Sequence, residues 1–61
     1  MLLESNMDVI RNNQDLTLTI TATYLGGKAT NIIAYQNNGK QINLSLSEEI
    51  RAEEILLASR K

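Results

Sequence analysis

From Leu16 to Tyr24 the chain reads Leu-Thr-Leu-Thr-Ile-Thr-Ala-Thr-Tyr, with an apolar side chain at every even position and threonine at every odd one. Successive side chains of a strand point to opposite faces, so this segment can bury one side of a sheet and leave the other wet. A helix would scatter the same residues around its circumference, and β-branched threonine and isoleucine favour the extended form. The fold must therefore cover the apolar side of this strand.

Three clusters punctuate the sequence at nearly even intervals: Asn12-Asn13-Gln14-Asp15, Gly26-Gly27 and Asn37-Asn38-Gly39. Gly-Gly and Asn-Gly reach positive φ cheaply, as two-residue hairpin loops require. Ile42-Asn43-Leu44-Ser45-Leu46 alternates cleanly, whereas Thr30 to Gln36 is rich in β-formers but carries apolar residues on both parities. With two-residue loops at Gly26-Gly27 and Asn38-Gly39, the expected rows are Leu18–Tyr35–Ile42 and Ile20–Ile33–Leu44 on the apolar face. The polar face then holds Thr19–Ala34–Asn43 and Thr17–Gln36–Gln41. A one-residue slip would reverse a strand's faces, so agreement between two separate turns supports a three-stranded meander.

The N-terminal segment is open to two readings. Leu3, Met7 and Ile10 have helical spacing, while Leu3, Met7 and Val9 share strand parity. The strand is favoured, because a four-residue turn at 12 to 15 would set Val9 beside Leu18 and Met7 beside Ile20. The tail reads as a helix: Ser47 is a candidate N-cap, Glu48 and Glu49 suit the first turn, and Ser59, Arg60 and Lys61 close the segment. Ser45 is the alternative cap, with Glu48 completing a capping box. The expected fold class is thus α+β: an antiparallel β-meander of three to four strands followed by one C-terminal helix packed on the apolar sheet face. It is expected to form one small domain over residues 1–61.

A 61-residue domain buries only roughly 60% of the surface that its unfolded chain exposes, and usually needs a disulfide, a metal or self-association to add stability. Cysteine and histidine are both absent, which excludes disulfides and leaves only oxygen ligands for a metal. A homo-oligomer is the expectation that remains. The opening residues MLLESNMD carry no basic, apolar leader, and no apolar run approaches the roughly 18 residues that span a bilayer. A complete small cytoplasmic protein with no membrane partner is therefore expected.

Catalytic chemistry finds little support. Nucleophilic catalysis needs an activated nucleophile and a base, and the threonines read as an exposed pleat. Glu49 and Glu53 share a helix face, but a solvated face is the plainer reading. Gly26-Gly27 lacks the lysine and helix of a phosphate-cradling loop. No catalytic, cofactor or metal site is expected, and the chain is expected not to be an enzyme. Nucleic-acid binding is also disfavoured: seven acidic residues against six basic ones give a net charge of −1, and the expected register puts both aromatics, Tyr24 and Tyr35, on the apolar face.

Between Leu16 and Ser47 the only charged residues are Lys28 and Lys40, and interface cores are depleted in charge in this way. The strand edges are expected to carry no charged guard. On the helix, Ala52, Ile55 and Leu56 form a stripe for the sheet, while Ile50 and Leu57 form a second on the far side. The expected contact residues are Thr17, Thr19, Thr21, Ile32 and Ala34 on the outer sheet face, and Ile50 and Leu57 on the helix. These features suggest a small protein-binding oligomer, an adaptor or inhibitor of phage or mobile-element type that acts by occupying a surface. A regulatory oligomer that holds a nucleotide or other small ligand between subunits, and a minor structural or assembly protein, are the alternatives.

Overall fold

The computed structural model describes residues 1–59. Four antiparallel strands, β1 (Leu2–Arg11), β2 (Gln14–Leu25), β3 (Lys28–Tyr35) and β4 (Gln41–Ile42), form one open sheet in the order β1-β2-β3-β4. One helix, α1 (Leu46–Ser59), then folds back over a single face of that sheet. The architecture is the expected α+β meander with a C-terminal helix, and the N-terminal segment is a full strand. Arg60 and Lys61, expected to close the helix, lie outside the described residues.

Alternation dictates the core. Leu3, Met7 and Val9 of β1 and Leu18, Ile20 and Ala22 of β2 are buried on one face, where Ala52 and Leu56 of the helix meet them. The expected stripe of α1 thus faces the sheet, with Ile55 half-buried beside it. Leu18, Ile20 and Leu56 are completely enclosed. Burying an aliphatic side chain of this size is worth about 1.5–3 kcal/mol, so these residues dominate a small core.

The first hairpin differs from expectation by two residues in register. Its loop is Asn12-Asn13 alone, both in the left-handed region at φ 53° and 64°. Asparagine tolerates that region, and two such residues make the tight loop that suits strand twist. Arg11 therefore pairs with Gln14, Val9 with Leu16 and Met7 with Leu18. A two-residue slip preserves parity, so the buried set is as expected although the rows are not.

The second hairpin brings a larger correction. Gly26-Gly27 forms the expected two-residue loop, and Leu25 pairs with Lys28, Tyr24 with Ala29 and Thr23 with Thr30. The register then jumps: Thr21 pairs with Ile33, Ile20 with Ala34 and Thr19 with Tyr35. Asn31, at φ 55°, and Ile32 together oppose Ala22, so Asn31 is the extra residue of a β-bulge. Beyond it every side chain of β3 is reversed from the regular reading. Ala34 is buried under the helix at 1% exposure and Ile32 packs on the core, whereas Ile33 and Tyr35 take the outer face.

The third turn restores the balance. Gln36 N–H donates to Lys40 O at 2.8 Å and Gly39 N–H to Gln36 O at 2.9 Å, which encloses a three-residue loop with Gly39 at φ 85°. Ala34 pairs with Ile42 and Tyr35 with Gln41. Because the bulge and the longer loop each shift the register by one, Ile42 still packs on the core. Strand β4 is only two residues long, and Leu44 reaches the core from the connection to the helix.

Ser45, not Ser47, caps α1. Glu48 N–H donates to Ser45 Oγ at 3.3 Å and Ser45 N–H to Glu48 Oε1 at 2.9 Å, the reciprocal bonds of a capping box. Glu48 also accepts two bonds from the Arg11 guanidinium, at 2.6 and 2.7 Å, while Arg11 Nη2 donates to Asn43 O at 3.1 Å. The hydrogen bonds from Arg11, then that from Ser45, hold the Glu48 carboxyl down at about 2, and Arg11 is pushed above its ordinary value. One carboxylate thus starts the helix and ties it to the end of the first hairpin.

Candidate functional site: the uncovered sheet face

The helix closes one face of the sheet and leaves the other open. Thr17, Thr19, Thr21 and Thr23 run down the middle of that open face, because the odd positions of β2 oppose the buried ones. On one flank stand Ile33 and Tyr35, paired with Thr21 and Thr19, and both half-buried. On the other flank β1 contributes Glu4 and Asp8, with Asp15 at the end of the sheet. Thr17 Oγ1 donates to Asp8 Oδ1 at 3.0 Å across the pair. The face therefore has a neutral, hydroxyl-rich centre, an apolar flank, and an acidic flank on which Glu4 and Asp8 alternate with Asn6 and the exposed Leu2 and Ile10.

The expected contact residues do not gather in one place. Thr17, Thr19 and Thr21 share the open face. Ile32 and Ala34 lie on the opposite side of the sheet, against the core, so their expected place on the outer face is corrected. The bulge is the physical reason. Ile50 is 53% exposed on the helix, but Leu57 is half-buried and packs on the core, so the second helix stripe is divided. Ile33 and Tyr35 occupy the places that Ile32 and Ala34 were expected to fill. The one sign of this in the sequence is the run of apolar residues on both parities of β3, which a regular strand cannot bury on one face.

An open groove of about 500 Å³ lies at the acidic end and is lined by residues that include Asp8, Asp15, Thr17, Glu48 and Arg51. Two of its charged groups are already engaged: Glu48 by Arg11, and Arg51 through Nη1, which donates to Asp8 O at 3.0 Å. Among the described residues no group of three or more His, Cys, Asp or Glu side chains is placed to hold a metal ion. Glu49 is exposed and Glu53 half-exposed on the helix, as a solvated face requires. No described helix is long and apolar enough to cross a membrane.

The β1 edge carries a charged guard at one end only. Met1 and Tyr24 are bonded through their backbones, with Tyr24 N–H donating to Met1 O at 2.7 Å. In an antiparallel ladder such pairs alternate with non-bonded ones. Leu2, Glu4, Asn6, Asp8 and Ile10 of β1 therefore turn their N–H and C=O groups outward. Two of these carbonyls are covered: Asp8 O accepts from Arg51 and Ile10 O from Arg11 Nη1 at 3.0 Å. The edge is thus closed by guanidinium groups at one end and open from Leu2 to Asn6.

No protein-family model matches the chain, and no curated protein or solved structure is significantly similar to it.

Proposed function

We propose that the chain is a small, non-enzymatic, cytoplasmic protein-binding domain, an adaptor or inhibitor of phage or mobile-element type, which acts by laying its open sheet face on a partner protein. The observation that carries this reading is the face itself: a threonine column beside Ile33 and Tyr35, with no charged side chain at its centre. Interface cores are enriched in tyrosine and depleted in charge, and the uncharged centre of this face, with Tyr35 beside it, shares these two features. The molecule measures 36 by 22 Å across its two longer axes, and a typical interface covers about 800 Å² per partner. A contact of standard size would therefore engage nearly the whole open face. The acidic flank argues against a phosphate backbone as the partner, since Glu4, Asp8 and Asp15 would repel it.

Mutation at the centre of the face tests the reading. Thr19→Lys with Tyr35→Glu places two charges where a dry contact would form, on side chains that the core does not need. The unaltered protein, purified from its source, is expected to bring down a defined protein partner, and the double variant is expected to lose it while keeping its circular dichroism and melting point. Co-purification of a nucleotide or metabolite in place of a protein would favour the regulatory alternative. Retention of the partner by a folded double variant would remove the open face from consideration.

A further inference from the structure

We propose that the open part of the β1 edge pairs with the same edge of a second copy of this chain, antiparallel and centred on Ser5, which joins two sheets into one of eight strands. The proposal rests on the protein-binding reading and deepens it, because it leaves the open faces of both copies free and side by side.

The uncovered hydrogen-bonding groups set the limits. Leu2, Glu4 and Asn6 offer both N–H and C=O outward with no partner among the described residues, and Asp8 offers its N–H while Arg51 covers its carbonyl. The midpoint of this stretch is Ser5. A strand running the opposite way with the same open groups is its natural complement, and the chain itself supplies one. In this register Glu4 exchanges two backbone bonds with Asn6 of the second copy, and Asn6 does the same with its Glu4. Asp8 N–H can also reach Leu2 O across each end, so the pairing stops where Arg51 begins.

Side chains select this register over its neighbours. Centring on Glu4 would set the two Glu4 carboxylates directly opposite each other, and like charges so placed are destabilising. A centre at Asn6 would set Glu4 against Asp8. Any centre farther along requires the carbonyls that Arg11 and Arg51 occupy. Centring on Ser5 opposes no two carboxylates. It also sets Leu3 beside Met7 of the second copy on the helix-covered face, where both are already buried, at 4% and 2% exposure. The buried row then continues across the junction, and the helices stay on the same side of the joined sheet. Closure by a two-fold axis uses up the β1 edge of both copies, so pairing through this edge ends at two chains.

Two substitutions test the pairing. Asn6→Pro removes an N–H that points outward and leaves every β1–β2 bond in place, the position at which an edge strand tolerates proline. Light scattering at high micromolar concentration is expected to give the mass of two chains for the parent and one for Asn6→Pro, with circular dichroism unchanged. A parent of one chain, or a variant that still weighs two, overturns the proposal. Should Asn6→Pro fail to fold, crosslinking decides. Ser5 would oppose Ser5 as a non-bonded pair with Cα atoms about 4.5 Å apart, within the range that a disulfide spans. Since the chain has no cysteine, Ser5→Cys is expected to oxidise to a covalent dimer at least ten times faster than Asn6→Cys, whose two copies are too far apart to bridge. Equal rates overturn the register. The outcomes stay distinct from those for the open face: a single chain that still loses its partner with Thr19→Lys and Tyr35→Glu removes only the dimer. A two-chain parent whose double variant keeps the partner removes only the binding face.

Discussion

The two long hairpins begin from similar turns and end in different geometries. Both β1–β2 and β2–β3 close on a two-residue loop with positive φ at each position, Asn12-Asn13 in one and Gly26-Gly27 in the other. The first then runs for ten uninterrupted pairs, whereas the second breaks after three and resumes one residue out of step. A single asparagine in the left-handed region separates the two outcomes. The turn therefore fixes where a hairpin starts, while the face of each later side chain depends on the whole strand keeping count.

Single-residue deletions sharpen this contrast most. Removing Thr19 from β2 would reverse one half of a regular strand and turn either Leu18 or Ile20 out of the core. Loss of either enclosed residue from a marginal domain is expected to leave the chain unfolded by circular dichroism. Removing Asn31 takes out the residue that has no partner, and Ile32, Ile33 and Ala34 keep their faces. That variant is expected to stay folded, with Thr23–Thr30 and Thr21–Ile33 contacts still visible by NMR. Its loss of stability should be within about 2 kcal/mol, given that most of the ladder is untouched.

Truncations to alanine measure the same difference on side chains. Ile20→Ala empties a fully enclosed site and should cost about 2–5 kcal/mol in denaturant unfolding. Ile33→Ala, on the outer face of the bulged strand, should cost about 1 kcal/mol or less. Equal losses would mean that Ile33, not Ala34, faces the helix.

These pairs also mark how far the sequence was legible. The period-two threonine column, the Gly26-Gly27 loop and the acidic start of the helix are local signals, and each sets a strand or helix in its place. The other two loops differ in length from the expected ones. The bulge was not readable in the same way, because Asn31 can be an ordinary strand residue or a left-handed one, and neighbouring contacts decide between them. What did show was a conflict: Ile32, Ile33, Ala34 and Tyr35 could not all lie on one face. Reading Ile33 and Tyr35 inward suits the larger side chains, but the bulge turns the small Ala34 to the helix-covered face, where it is buried. The choice between Ser45 and Ser47 as cap likewise turned on Arg11, 34 positions before Ser45, which holds Glu48 in place for the capping box.

Substitutions at Asn31 test the bulge by conformation alone. A β-branched residue at φ 55° meets its own carbonyl, so Asn31→Val is expected to destabilise by about 1–2 kcal/mol. Glycine adopts that conformation without penalty, and Asn31→Gly should melt within a few degrees of the parent. The equivalent pair at Asn6, within the regular hairpin, should rank in reverse, because valine favours a strand and glycine weakens one.

The smallest effect concerns the ion pair that, among the described residues, ties the first hairpin alone to the helix. Glu48 is held at about 2 in the folded chain against an ordinary carboxyl value of 4.5. A depressed carboxyl stabilises the fold above its unfolded value, and that contribution is lost as pH falls through the folded one. The loss should therefore occupy the window from about 4.5 down to about 2. Partly exposed ion pairs are screened by water and contribute at most about 1 kcal/mol, so the melting point should fall by no more than about 4–8 °C across that window from this group. Glu48→Gln removes the titration but keeps an acceptor for Ser45 N–H, and its melting point should be flatter over the same range. Native-state hydrogen exchange would locate the change: at low pH the parent should lose protection first in the initial turn of α1, while the second hairpin, which has no link of this kind among the described residues, keeps its own. Uniform loss in both hairpins would show that the Arg11–Glu48 tie serves the whole domain, and that the two hairpins differ in register but not in how they are held.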